Sequence, residues 1–153
     1  KTIIIGAGHA GGMTAGFLRK KKYAGEIVLI GQENHYPYQR PPLSKDFLTK
    51  AIEDKRLYLK SSEYYEKNSI DVLVGLKVKN INREKKFLTL NNGKTIDFET
   101  VVFATGSLVT KINTECSVSD INYLRTIDVN IDNNLSEFKV IDLGCDDDYD
   151  INI

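Results

Sequence analysis

The segment Gly6-Ala7-Gly8-His9-Ala10-Gly11 constrains this chain more than any other stretch. It fits the pattern GxGxxG, which is weak evidence when it stands alone. Here the context supplies the rest. The β-branched run Thr2-Ile3-Ile4-Ile5 precedes it and reads as a buried parallel strand. A helical pattern follows from His9 to Lys22, with Met13, Phe17 and Leu18 about one turn apart. Glu26 to Ile30 then reads as a second strand, ended by Gly31. Lys1–Gly31 is thus one βαβ unit of about 30 residues. In such a unit the first glycine allows the tight turn. The second lets the backbone approach a pyrophosphate, and the third lets the helix pack closely on the strand. Free N–H groups at the helix start then face phosphate. The plainer alternative is a glycine turn that holds no ligand.

Composition removes several function classes. The chain has 153 residues, enough for one domain with a core, and its 21 basic residues balance its 21 acidic ones. That balance offers no electrostatic reason to expect nucleic acid or an anionic membrane as partner. Cys116 and Cys145 form no CxxC and no cluster with the two histidines, so neither a disulfide framework nor a metal site is expected. A reducing cytoplasm fits. No apolar run approaches the ~20 residues that span a bilayer. The sequence opens directly in a strand pattern, and no secretory signal is expected. The basic run Arg19-Lys20-Lys21-Lys22 reads as a solvated helix end that complements the helix dipole.

The remaining pattern predicts an α/β fold: a parallel sheet, flanking helices and a small antiparallel β-meander. A loop rich in proline and aromatics runs from Gln32 to Pro42. Short helices are predicted at Ser44–Lys50 and Ser62–Asn68, and a strand at Ile70–Val74. Lys77–Asn82, Phe87–Leu90 and Thr95–Phe98 alternate as antiparallel strands do, and Asn92-Gly93 is a hairpin signal. Val101–Ala104 reads as one more buried strand, ending at Thr105-Gly106. Beyond it the pattern weakens. Ile121–Arg125 is a short apolar piece, Lys139–Ile141 could be a strand, and Cys145–Asp150 is acidic.

The βαβ unit does not distinguish one dinucleotide from another. The next segment does. Tyr36-Pro37-Tyr38-Gln39-Arg40-Pro41-Pro42-Leu43-Ser44-Lys45 closely resembles the PYxRPPLSK segment of FAD-dependent ferredoxin reductases. That group includes the reductases of oxygenase and cytochrome P450 systems, rubredoxin reductases and apoptosis-inducing factor. The resemblance continues through Leu57-Tyr58-Leu59, the Asn92-Gly93 hairpin, Val102–Gly106 and Tyr123-Leu124-Arg125-Thr126, in the family's order.

The resemblance implies roles residue by residue. Gly6, Gly8, Ala10 and Gly11 would hold the FAD pyrophosphate. The adenosine ribose would be taken by Gln32 or Glu33, which stand where an acidic residue is usual, ~20 residues past the glycines. Arg40 would lie along the cofactor, its planar fork suiting phosphate. Lys45, the one candidate catalytic residue, would sit beside the isoalloxazine, where a cation favours electron-rich reduced flavin. Val78 would meet the adenine through its backbone. Thr105 and Gly106 would close over the cofactor, and Arg125 would reach it from the crossover. His9, Pro41 and Ala104 fall in the same contact set. Plainer readings stand beside three of these: a solvated lysine for Lys45, a surface ion pair for Arg125 and plain strand core for Val78. Leu43-Ser44-Lys45 lacks the cysteine pair that disulfide-reductase relatives carry there, which disfavours dithiol chemistry.

Residues 1–126 would then be an FAD-binding domain, and 127–153 a linker with the truncated start of a nicotinamide-binding domain. Gly144 could open a second glycine turn, but Cys145-Asp146-Asp147-Asp148 places carboxylates where a pyrophosphate would lie. NAD(P)H is therefore expected only with a missing second domain, supplied by a longer protein or by a second chain. The implied activity carries electrons from NAD(P)H through FAD to a ferredoxin-like or rubredoxin-like acceptor, with little turnover by this chain alone. Two alternatives remain open. One is another flavin NADH oxidoreductase, such as an NADH oxidase or a nitrite reductase component. The other is a dinucleotide-binding or interaction module without catalysis.

Overall fold

A computed structural model describes residues 1–110 and 123–132, with side chains to Val129. Strand β1 (Thr2–Ile5) leads through the glycine turn into helix α1 (His9–Lys20) and strand β2 (Ile27–Ile30). A long loop carries two single 3-10 turns, Pro41–Ser44 and Asp54–Arg56. Helix α2 (Ser62–Lys67) and strand β3 (Ile70–Leu73) follow. Strands β4 (Val78–Asn82), β5 (Phe87–Leu90) and β6 (Thr95–Asp97) come next, then β7 (Thr100–Phe103) and the short helix α3 (Ile127–Asp132).

Four strands form a parallel sheet in the order β3-β2-β1-β7, and β4-β5-β6 form an antiparallel meander. Every residue of β1 and β2 is buried, as parallel strands covered on both faces must be. Alternation along the strands divides the core in two. Ile3, Ile5, Val28 and Ile30 meet Leu88 and Leu90 of the meander. Ile4 and Leu29 meet Ala15 of α1 and Tyr65 of α2 on the opposite face. The hairpin signal at Asn92-Gly93 joins β5 to β6. Gly93 takes φ +82°, and the Asn92 side chain accepts the Lys94 N–H at 3.0 Å.

Several expectations need correction, among them the buried strand at Val101–Ala104: β7 is only partly buried, and Phe103 is 67% exposed. Of the apolar residues that mark the helical pattern of α1, Leu18 packs on the core, but Met13 is 36% and Phe17 51% exposed. The sheet instead receives Gly11 and Ala15, whose small size lets the helix axis lie close to the strands, while the buried Gly12 faces Pro37 and Leu59 of the loop. The helix ends at Lys20, with Lys22 at φ +61°. Arg19 is no solvated helix end. Its guanidinium donates to the backbone carbonyls of Tyr23, Gly25, Asn68 and Ser69 at 2.6–2.8 Å. Finally, Ser44–Lys50 is not a helix. Pro41 and Pro42 start a 3-10 turn that stops at Ser44, because Lys45 leaves helical geometry at φ −128°, ψ −116°.

A third cluster closes the loop: Tyr38, Leu43, Phe47 and Leu57 pack against Ile127 at the start of α3. The candidate strand at Lys139–Ile141, the second glycine turn, Cys116, Cys145 and the acidic run lie outside the described residues. No helix among the described residues is long and apolar enough to cross a membrane.

Candidate functional site

Because the sheet is parallel, β1, β2 and β7 end on the same side, and the sequence-predicted residues gather there. Backbone bonds fix this edge: Gly6 N–H to Ile30 O, Ala104 N–H to Ile5 O and Gly31 N–H to Leu73 O, each 2.8 Å. Gly6 takes φ +111°, and a Cβ on it would stand 2.1 Å from Ala104 O. A Cβ on Gly11 would stand 1.8 Å from Gly6 O. These two glycines are therefore required by the fold itself. Gly8 differs: a Cβ there would meet nothing within 4 Å. The turn is open at this glycine, in front of the start of α1. The N-cap of α1, Gly8, has no side chain to cap that helix end, and the first turn holds no acidic residue. His9 and Ala10 are exposed beside it. The arrangement leaves N–H groups and the positive end of the helix dipole facing open space, which suits an anion.

The residues after β2 build the next wall. Gln32 is exposed, whereas Glu33 is engaged on both carboxylate oxygens. Oε1 accepts Arg40 Nη2 at 2.6 Å, and Oε2 accepts the Tyr38 hydroxyl. Arg40 lies 5.2 Å from the Tyr38 ring centroid, and its Nη1 donates to the backbone carbonyl of Arg125. Arg125 in turn donates from Nη2 to the carbonyl and hydroxyl of Ser107, at 3.2 and 3.3 Å. Among the described residues, Arg125 thus contacts the segment after β7 and no carboxylate. It is also the nearest group to the open side of Gly106, which takes φ +66°. Burial, then the bond to Glu33, push the Tyr38 phenol well above the ordinary tyrosine range, so it stays a neutral donor.

Other predicted residues lie further out. Pro41 opens the 3-10 turn next to Arg40, and Lys45 is exposed where that turn ends. Val78 begins β4, pairs with Leu90 before a register shift and packs on the core. It is linked to the site through Leu76, whose N–H bonds Gly31 O at 2.9 Å. Ala104 is half-buried, and Thr105 is exposed.

Sequence reasoning missed Tyr38, Gly12 and Gly31 as parts of this construction. A Cβ on Gly12 would press on Pro37 at 2.6 Å, and one on Gly31 on Ala7 at 2.5 Å. The hints were only Gly12 following the glycine turn, Gly31 ending the second strand and Tyr38 lying in the PYxRPPLSK-like segment. No group of three or more potential metal ligands occurs among the described residues.

The family model described as pyridine nucleotide-disulphide oxidoreductase matches residues 1–137. The ferredoxin–NAD(+) reductase subunit of the benzene 1,2-dioxygenase system of Pseudomonas putida is 44% identical over 104 residues, covering 68% of this chain and 25% of the relative. A rubredoxin–NAD(+) reductase of Pseudomonas putida is 35% identical over 127 residues, 82% of this chain and 33% of the relative. The covalent putidaredoxin reductase–putidaredoxin complex superposes with a TM-score of 0.79 at 30% identity, over 87% of this chain and 33% of that one. The chain therefore spans between a quarter and a third of these curated relatives.

Proposed function

This chain belongs to the pyridine nucleotide-disulphide oxidoreductase family, and on that premise we propose that it is the FAD-binding part of an NAD(P)H-dependent ferredoxin or rubredoxin reductase. The observation that carries the reading is the turn at the end of β1. Gly6 and Gly11 are sterically required, while Gly8 opens onto free space before an uncapped, unshielded helix start. That is the fit a dinucleotide pyrophosphate needs. FAD bound there would exchange a hydride with a nicotinamide and single electrons with an iron–sulfur protein.

The chain's own residues bind and orient. Gly6, Gly8, His9, Ala10 and Gly11 face the pyrophosphate. Of the two ribose candidates, the reading favours Gln32, because Glu33 already serves Arg40 and Tyr38. Arg40 and Pro41 line the wall beyond it. Ala104, Thr105, Gly106 and Arg125 form the opposite rim, Val78 offers backbone near the adenine, and Lys45 is the cation for the isoalloxazine end.

Residues 1–126 form the FAD-binding domain in this reading, and 127–153 lead towards a nicotinamide-binding part held elsewhere in a longer protein or on a second chain. The edge of the sheet supports more polypeptide docking here. Among the described residues β7 is an outer strand, and Phe103 on it is 67% exposed in a mostly apolar groove with Ile81, Arg83, Phe98 and Val101. A parallel strand is normally covered on both faces. The electron acceptor is a ferredoxin-like or rubredoxin-like protein, as the names of the relatives suggest. A cytoplasmic setting fits the cysteine usage.

The test is the visible absorption spectrum of the purified chain after incubation with FAD and desalting. Retained flavin bands are expected. A folded chain that retains none would remove the cofactor role from this polypeptide.

A further inference from the structure

The candidate site depends on two arginines held across a gap in the sequence, and one buried side chain reaches both segments. Tyr38 is 4% exposed. Its hydroxyl donates to Glu33 Oε2. It accepts from Arg40 Nη1 at 3.2 Å and from the backbone N–H of Ile127 at 3.2 Å. A phenol has one proton and two lone pairs, so these partners saturate it. They come from the loop after β2 and from the first residue of α3. Arg40 adds a second link between the same two segments through the Arg125 carbonyl.

Resting on the reading given above, we propose that Tyr38 is a positioning residue for the cofactor. Its hydroxyl sets the orientation of Arg40 and couples the loop after β2 to the segment that carries Arg125. Occupation of the site and tightening of residues 123–129 are then linked, because a ligand touching both arginines favours the arrangement that the hydroxyl already holds. The ring would fill the core in either case. The hydroxyl is the part that reaches the site.

The test compares the wild-type chain with Tyr38→Phe and with Tyr23→Phe, which removes a hydroxyl bonded to Thr2 Oγ1 on the other side of the fold. FAD is the probe. The readouts are its dissociation constant by flavin fluorescence, the visible circular dichroism of bound flavin, and amide exchange over residues 123–129 with and without FAD. Tyr38→Phe is expected to weaken FAD binding about tenfold, the scale of one hydrogen bond to a charged group. It should also change the flavin dichroism and abolish FAD-induced protection of 123–129. Tyr23→Phe should leave all three as in wild type. If Tyr38→Phe does not fold, the wild-type exchange decides: FAD-induced protection at 123–129 supports the coupling, and none overturns it. Wild-type binding together with unchanged affinity and dichroism in Tyr38→Phe overturns this proposal alone. A wild-type chain that takes up no FAD overturns the functional reading, and this proposal with it.

Discussion

Gly11 of α1 lies directly against Gly6 of the preceding turn, so close that a β-carbon on Gly11 would stand 1.8 Å from the Gly6 carbonyl oxygen. The helix start and the strand end therefore cannot separate without opening the turn between them. This contact fixes where the first N–H groups of α1 point.

The contact separates two glycines with different duties. Gly11→Ala is expected to lower stability by about 2 kcal/mol, because the added carbon meets backbone that cannot rotate away. Gly8→Ala meets nothing within 4 Å and should stay within about 1 kcal/mol of wild type. Gly8→Ala should nevertheless weaken FAD binding, since its methyl occupies the approach to the pyrophosphate. Urea denaturation and FAD titration of both variants check this. Equal stability losses would contradict the separation.

Arg19 and Lys20 are neighbours with opposite fates. Arg19 bonds four backbone carbonyls from two turns, whereas Lys20 is exposed. Arg19→Met should cost about 2 kcal/mol by leaving partly buried carbonyls unpaired. Lys20→Met should stay within about 0.5 kcal/mol. Thermal melts of the two variants suffice, and a tolerant Arg19 would show that water replaces its bonds at little cost.

Tyr65 is 1% exposed, and its hydroxyl has no hydrogen-bond partner among the described residues. Burial, with Tyr64 and Tyr36 nearby, pushes its pKa from 10.0 up to about 12. A folded-state pKa above the unfolded one stabilises the fold below the unfolded value. That stability is lost as pH rises through the folded one. Stability should therefore fall between pH 10 and about 12 by about 1.4 kcal/mol per unit from this group. Tyr65→Phe should flatten the decline. It should also leave stability at neutral pH equal or about 1 kcal/mol higher, because an unpaired buried hydroxyl is removed. Chemical denaturation at a series of alkaline pH values measures both effects.

Gln32 and Glu33 should part under mutation. Gln32→Ala is expected to weaken FAD binding about tenfold with an unchanged melting temperature, as loss of one hydrogen bond to an exposed wall would. Glu33→Ala should lower the melting temperature, because Arg40 and the buried Tyr38 hydroxyl lose their shared acceptor. If Glu33→Ala loses FAD affinity while keeping its melting temperature, the ribose role passes to Glu33.

The sequence by itself determined the frame of this protein. Runs such as Ile3–Ile5 and Val28–Ile30, short, β-branched and bounded by glycine, read as buried strands. Gly6 and Gly11 stand where a sharp turn and a close helix require them, and Asn92-Gly93 sets the hairpin. These are local requirements of backbone and side-chain shape, so they are legible without the fold. What touches what across the chain was decided only by tertiary structure. The sheet took Gly11 and Ala15 of α1 and left Met13 and Phe17 outside, because closeness of approach outweighed the size of the apolar side chains. Arg19 became a bracket because folding brought Asn68 and Ser69 to it. The sequence left Gln32 and Glu33 level as ribose candidates, and only the fold shows that Arg40 and Tyr38 hold the Glu33 carboxylate. A hydrogen bond such as that between Ile127 and Tyr38, 89 positions apart, leaves no periodicity in a sequence, and it shapes the wall of the site.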